Sequence, residues 1–171
     1  MPELFVKNKV AVGGGILALV LLSWLCWYFS ATQVIKRQLI GLTWEVNKKS
    51  SQESTMETAL KMREVKAALT ESCRVMVPET HFNDVLERDS AIMYLMYYRD
   101  RYETISVSFE RMDITFPAKT EATVRANVLL NRQKGQAAPT EVAAPALLTL
   151  KKESGGWLLT QVELAAALVN D

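Results

Sequence analysis

Three tyrosines recur at four-residue intervals in the middle of the sequence, at Tyr94, Tyr98 and Tyr102. On a helix, Tyr98 and Tyr102 would share one face with Ala91 and Leu95, and Tyr94 would lie beside that face. Their hydroxyls could supply the few polar groups that a mostly apolar ligand cavity uses to orient its ligand. The same pattern is also typical of tyrosines that pack in a core and extend their hydroxyls to water, which is the commoner case.

Other residues able to do acid–base or metal chemistry are scarce. The chain has one histidine, His81, and two cysteines, Cys26 and Cys73. Cys26 lies in an apolar stretch and Cys73 in the mixed-polarity remainder, so we expect no disulfide between them. One histidine and one cysteine outside the apolar stretch exclude a zinc site with several Cys or His ligands. The sequence therefore predicts no metal, no cofactor and no catalytic constellation.

The first long element is an uncharged stretch from Val10 to Ile35. About 20 apolar residues in a helix cross a hydrocarbon layer of about 30 Å, and aromatic rings favour the boundary between lipid and water. We therefore predict a transmembrane helix over 10–35, with Trp24, Trp27 and Tyr28 at the membrane interface. A cleaved signal peptide is the alternative, although the stretch is longer than such peptides need.

The remaining organisation follows from this helix. We expect a short tail over 1–9, a juxtamembrane helix and linker over 36–53, and a soluble domain over 54–171. Ile35, Leu39, Leu42 and Val46 form a heptad-like stripe after the predicted span. That stripe indicates either a helix resting on its own domain or the bilayer, or a short seam for self-association.

Charge limits the partners. The sequence carries 20 Lys and Arg against 19 Asp and Glu, a net charge of +1. Phosphate binding needs a clear basic excess, so nucleic acid is not an expected partner. Lys and Arg counts on the two sides of the span do not fix its orientation. We expect membrane lipid and other protein subunits as partners, and a homo-oligomer as a further option.

The soluble part changes from helical to strand periodicity. A capping box at Ser54–Glu57 opens a helix that ends near Ser72, and a short extended piece covers Arg74–Pro78. A second helix covers about Phe82–Tyr102, with an interruption near Arg88–Ser90 as an option. Four strands follow. The first slips in phase near Glu110, as a β-bulge would require. The predicted strands are Ile105–Phe116, Thr120–Asn131, Ala146–Lys152 and Trp157–Leu164, the last two joined by a tight turn at 153–156.

This order predicts an α+β domain in which helices pack on one face of a curved, mostly antiparallel four-stranded sheet. The order, the bulged strand and the run LKKESGGWLLTQV at Leu150–Val162 resemble the superfamily named after nuclear transport factor two. Its members share a cone-shaped fold. They include SnoaL-like and ketosteroid isomerase-like enzymes, polyketide cyclases, and the periplasmic domain of a bitopic assembly subunit of type IV secretion systems.

The resemblance implies where a ligand site would lie. Enzymes of this superfamily hold an acid or base inside the cone, facing polar donors such as tyrosine. Candidates for such a pocket are therefore Tyr94, Tyr98 and Tyr102 from the helix and Glu110 at the bulge, where a side chain can be re-aimed. His81 and Asp113 are weaker candidates, since Asp113 alternates away from Met112 and Ile114.

Two functions follow. The first is a non-catalytic single-span subunit in the inner membrane. Its domain, on the periplasmic side, would mediate protein–protein contacts in a cell-envelope complex of the secretion or transport type. The alternative is a membrane-tethered domain that binds, or acts on, a small molecule in the apolar cone interior.

Overall fold

The structure, a computed structural model, describes residues 19–50 and 52–169. The predicted tail at 1–9 and the first part of the predicted span lie outside these residues. By compactness the chain divides into one unit that ends at Arg37 and another that begins at Gln38. Each unit is described by itself below.

The apolar N-terminal region is helical but not continuous. Helix α1 covers Leu19–Tyr28 in the described residues, and helix α2 covers Ala31–Val46, with a turn at 29–30 between them. Arg37 fixes this turn, since its Nη2 donates to the Tyr28 carbonyl (3.0 Å) and its guanidinium lies 3.8 Å from the centre of the Tyr28 ring. Within the described residues no single helix meets the length and apolarity of a membrane span; α1 and α2 do so only when taken together as a bent pair.

Two further helices precede or interrupt the strands. Helix α3, Thr55–Ala67, begins at the predicted cap, where the Ser54 hydroxyl accepts a hydrogen bond from the Glu57 N–H (3.1 Å). It ends five residues before the predicted end near Ser72, because a strand begins at Leu69. Helix α4 covers Arg88–Asp100, and a last short helix, α5, covers Ala166–Val169.

The sheet has six strands in the order β2-β1-β6-β5-β4-β3. All neighbours are antiparallel except β1 and β6, which run parallel. A 3₁₀ turn, Pro78–Thr80, links β1 to β2. The strand bounds are β1 Leu69–Val77, β2 Phe82–Glu87, β3 Thr104–Ala118, β4 Glu121–Gln133, β5 Thr140–Glu153 and β6 Gly156–Leu164.

The predicted number of four strands is therefore wrong. The predicted helix over Phe82–Tyr102 begins only at Arg88, where the sequence offered an interruption, and its first six residues form a strand. Phe82–Glu87 is a strand that pairs with β1 from Val77↔Phe82 to Ser72↔Glu87. Its residues are mostly exposed, so no alternation of apolar side chains marks it as a strand. Its conformation depends on pairing with β1, and such tertiary context overrides local propensity. The connection between the second and third predicted strands is also shorter than their predicted bounds imply, because β4 runs to Gln133 and β5 starts at Thr140.

Two local predictions are confirmed. The register of β3 against β4 shifts between Phe109 and Arg111, which leaves Glu110 as the extra residue of a bulge. The turn between β5 and β6 ends at Gly156, whose φ of +139° is one that residues with a side chain rarely adopt.

Strand parity decides where the core lies. The even-numbered residues of β4 from Ala122 to Arg132 are all buried, as are those of β5 from Ala144 to Leu150. The odd-numbered residues of the same strands are exposed or half-buried. One face of the sheet thus carries the core and the other is solvated, as expected for a largely antiparallel sheet.

Candidate functional site

The buried face of the sheet carries one charged side chain at its end, Arg132. It is 6% exposed, and its Nη1 donates a 2.7 Å hydrogen bond to the hydroxyl oxygen of Tyr98 on α4. That hydroxyl in turn donates to the main-chain carbonyl of Leu168 in α5 (3.2 Å). Three segments that are far apart in sequence therefore meet in one short chain of hydrogen bonds.

The surroundings of this chain are apolar. Tyr102 is 5% exposed, its ring lies 5.2 Å from that of Tyr98, and the Arg132 guanidinium lies 5.4 Å from its centre. Arg132 also has a further partner beyond these. The buried residues of this cluster, which we call the interior cluster, are Tyr102, Ile105, Val128, Leu130, Ala144, Ala146 and Leu168.

A guanidinium that donates to a phenol makes that phenol a stronger donor, because the bond is charge-assisted and the surroundings are of low dielectric. The group that accepts the hydrogen bond from the Tyr98 hydroxyl is a carbonyl oxygen, that of Leu168. The arrangement is therefore suited to bind an oxygen acceptor and to stabilise negative charge that develops on it.

Arg132 was not among the sequence candidates. The predicted strand stopped at Asn131, one residue short, so the arginine was assigned to a loop. The period-two alternation contained the signal, since Arg132 continues the inward series of Val128 and Leu130.

The four predicted pocket residues separate into two groups. Tyr98 packs against the interior cluster and Tyr102 belongs to it, although α4 ends at Asp100 and Tyr102 lies beyond the helix. Tyr94 is 63% exposed on α4 and does not join them. Glu110 is exposed at the bulge and accepts a 2.8 Å hydrogen bond from the amide of Asn127, an odd-numbered residue of β4 that belongs to the solvated face. The bulge thus directs Glu110 away from the interior.

A second polar cluster is centred on Arg99, which is 2% exposed. Its Nε donates to the Val46 carbonyl (3.0 Å) and its Nη2 to a Glu53 carboxylate oxygen (2.7 Å), while Lys61 also pairs with Glu53. These bonds tie the segment between α2 and α3 to the end of α4, which indicates a structural role.

Glu53 stays ionised in this cluster. Burial by itself raises the pKa of the Glu53 carboxyl, but the hydrogen bond from Lys61 and the charges of Arg99 and Lys61 outweigh it and hold the pKa below its ordinary value.

A groove of about 420 Å³ lies on the solvated face of the sheet and is lined by Arg111, Asp113, Arg125, Asn127 and Glu79, among others. It carries charges of both signs, and its arginines and Asp113 are exposed. Its polar groups are thus in contact with solvent and are not oriented in an environment of low dielectric. We therefore regard it as a surface groove without a binding role.

The remaining candidates are dispersed. His81 is exposed at the end of the 3₁₀ turn with a left-handed backbone (φ 56°). Cys73 is 2% exposed, and burial raises the pKa of its thiol to about 11. Within the described residues no group of three or more His, Cys, Asp and Glu side chains is arranged to hold a metal ion.

The predicted membrane-interface residues are solvent-facing on α1, with Trp24 at 54%, Trp27 at 56% and Tyr28 at 36% exposed. The predicted self-association stripe differs. Ile35 and Leu39 are 0% and 2% exposed, and Leu42 and Val46 are half-buried. Pairing of two copies through this stripe stays a prediction.

The comparisons with known proteins fit this architecture. No protein-family model matches the sequence, and no curated protein matches it. Solved structures do match over most of the chain. One, assigned as a scytalone dehydratase from Novosphingobium aromaticivorans DSM 12444, has a TM-score of 0.63 at 21% identity over 78% of this chain and 81% of its own.

Two others have a similar likeness. Hexachlorocyclohexane dehydrochlorinase (LinA) type 2 has a TM-score of 0.63 at 8% identity over 80% of this chain and 84% of its own. A protein of the NTF2-like family from Streptomyces avermitilis, assigned as a dehydratase, has a TM-score of 0.62 at 8% identity over 80% and 95%. The domain therefore shares the mixed α+β, cone-like fold of these structures, one of which is named as NTF2-like.

These matches correct one expectation from the sequence. A non-catalytic domain was expected because no catalytic constellation was visible, yet structures that share the fold include proteins named as dehydratases and a dehydrochlorinase. The fold thus admits catalysis, and the non-catalytic assignment does not stand. A role in assembling a secretion complex finds no support in these matches.

Proposed function

We propose that this chain is a small-molecule-binding domain whose ligand site lies in the interior cluster, with Tyr98 and Arg132 as its polar end. The observation that carries the proposal is the 2.7 Å hydrogen bond from the buried Arg132 guanidinium to the Tyr98 hydroxyl. The bond is charge-assisted and lies among apolar side chains, which makes the Tyr98 hydroxyl a strong donor to an oxygen acceptor.

The surrounding residues define what would bind. The interior cluster is formed by aliphatic and aromatic side chains, so most of the ligand is apolar. The polar end offers donors, so the ligand carries one oxygen acceptor. The domain would bind such a compound, and Tyr98 would be the group that stabilises charge on its oxygen.

The test is a titration of the full chain with 2-acetylnaphthalene, an apolar ring system with one carbonyl oxygen. Tyr98→Phe removes only the hydroxyl. In the free chain this hydroxyl already donates to the Leu168 carbonyl at 3.2 Å, so the substitution removes a hydrogen bond from the free and the bound chain alike. Only the advantage of the shorter bond to the ligand over this long one is lost, about 0.5–1 kcal/mol, and we expect the dissociation constant to rise about threefold.

Tyr94→Phe is the matched control, because it makes the same chemical change on the same helix at a residue that is 63% exposed. Its affinity should equal that of the unaltered chain. Equal affinities for the Tyr98 and Tyr94 variants, or no binding at all, would remove the proposed site.

For the location of the chain, we propose attachment to a membrane through α1. Large apolar side chains of this helix are exposed all round it: Leu19, Val20, Leu21, Leu22, Trp24, Leu25 and Trp27 are each more than 40% exposed. A helix that is apolar on all sides needs an apolar environment, and lipid is the one expected from the sequence.

Vesicle flotation tests the attachment. Leu22→Lys with Leu25→Lys should release the chain from lipid vesicles, since each buried lysine costs roughly 2.5–3.5 kcal/mol at the centre of a span. Met56→Lys changes an exposed apolar residue of α3 and should leave flotation unchanged. Flotation that survives the double substitution would argue against α1 as the anchor.

A further inference from the structure

The interior cluster is already occupied by part of the chain itself. Leu168 is 6% exposed and packs in the cluster, and its carbonyl oxygen accepts the hydrogen bond of the Tyr98 hydroxyl. Leu168 thus presents what the site is suited to bind, an apolar group next to a carbonyl oxygen.

The space that Leu168 fills is created by the sequence of β5. The inward residues at one end of this strand are Leu148 and Leu150, whereas at the other end they are Ala144 and Ala146. Two alanines leave room that two leucines would fill, and α5 packs against β5 there. The two alanines therefore make the space that the Leu168 side chain occupies.

The polar groups here are satisfied without a ligand. Among the described residues, no buried side-chain nitrogen or oxygen lacks a hydrogen-bond partner. The Tyr98 proton has one acceptor, the Leu168 carbonyl. An acceptor atom of a ligand can accept the hydrogen bond of the Tyr98 hydroxyl only if the Leu168 carbonyl moves away. Ligand binding and the position of α5 shown here therefore exclude each other.

Few of the described hydrogen bonds hold α5 in place. The helix has four residues, and its first N–H, that of Ala166, is held by an exposed Glu79 carboxylate at 3.1 Å. A single helical turn has little stability of its own, so its position depends on Leu168 and a few such bonds.

We propose that α5 is a displaceable plug: an apolar carbonyl compound binds by replacing Leu168 in the interior cluster and its carbonyl on the Tyr98 hydroxyl. This inference rests on the proposed function and adds the ligand class and the competitor. Every binding event must then meet the cost of displacing α5, which lowers the apparent affinity of the site.

Leu168→Ala tests the plug in the full chain. The substitution keeps the main-chain carbonyl but removes most of the apolar packing, so displacement becomes easier. We expect 2-acetylnaphthalene to bind about tenfold more tightly, and Ala167→Ser, at an exposed residue of the same helix, to bind as the unaltered chain does. 2-Ethylnaphthalene, which has the same ring but no carbonyl, should bind more weakly than 2-acetylnaphthalene to the unaltered chain, to Leu168→Ala and to Ala167→Ser.

Hydrogen exchange gives a second measurement that needs no substitution. The Leu168 N–H donates to the Ala165 carbonyl and the Ala166 N–H to Glu79 in the plugged state. Saturating 2-acetylnaphthalene should speed amide exchange over 166–169 while leaving that of β4 unchanged.

The possible results separate the two proposals. If the unaltered chain binds and Tyr98→Phe weakens binding, but Leu168→Ala changes nothing and α5 stays protected, the plug is wrong and the proposed function stands. If no variant binds the ketone, the proposed function fails and the plug fails with it. Equal affinity for the two naphthalenes would contradict the carbonyl class.

Discussion

The Arg99 guanidinium donates a 2.7 Å hydrogen bond to the carboxylate of Glu53, 46 residues earlier in the chain, and the two side chains are 2% and 6% exposed. Lys61 binds the other oxygen of the same carboxylate. A buried carboxylate held by two cations fixes the segment before α3 against the end of α4. Tyr98 precedes Arg99 on α4, so this ion cluster also positions the proposed site.

Glu53→Gln should therefore destabilise the fold. Removing one partner of a buried ion pair leaves the other charge without compensation, which costs about 3–5 kcal/mol. The measurement is the free energy of unfolding in urea. Glu57→Gln is the control, because Glu57 also pairs with Lys61 (3.1 Å) but is 55% exposed and should cost less than about 1 kcal/mol. Equal losses of unfolding free energy in the two variants would contradict the claim that the buried Glu53–Arg99 ion pair stabilises the fold.

Acid should act on the same group. The pKa of Glu53 is lower in the folded state than in the unfolded chain, so its contribution is present above the unfolded pKa, near 4.3, and is lost as the pH falls through the folded pKa. We expect the unaltered chain to lose more stability than Glu53→Gln between about pH 5 and pH 2. Parallel pH profiles of the urea midpoint would contradict this.

Cys73 should be inert while the domain is folded. It is 2% exposed, and burial raises the pKa of its thiol to about 11, so at pH 8 only about one thiol in a thousand is ionised. In a Cys26→Ser background we expect maleimide to label Cys73 only after urea is added. Ser154→Cys in a chain without Cys26 and Cys73 is the exposed control. Labelling of Cys73 in the folded chain at the control's rate would contradict this prediction and show that strand β1 opens.

The sequence was most informative where a pattern is local. The phase slip of β3 located the bulge at Glu110, and the box at Ser54 located the start of α3, because both depend only on neighbouring residues. The β1–β2 hairpin was missed since Phe82–Glu87 has no buried face of its own. The tyrosine spacing predicted that Tyr98 and Tyr102 lie close together, but it could not show that β4 runs on to Arg132 or that Leu168 returns to meet them.

The most direct measurement of the central claim is an NMR titration of the full chain, with its five tyrosines labelled at the ring Cζ carbon and 2-acetylnaphthalene as the ligand. This carbon reports on the hydrogen bonding of its own hydroxyl, and Tyr→Phe variants assign each signal. We expect the Tyr98 signal to move and saturate while the signal of exposed Tyr94 stays in place. A Tyr98 signal that remains still at saturating ligand, or one that moves no more than that of Tyr94, would contradict a ligand site at the Tyr98–Arg132 pair.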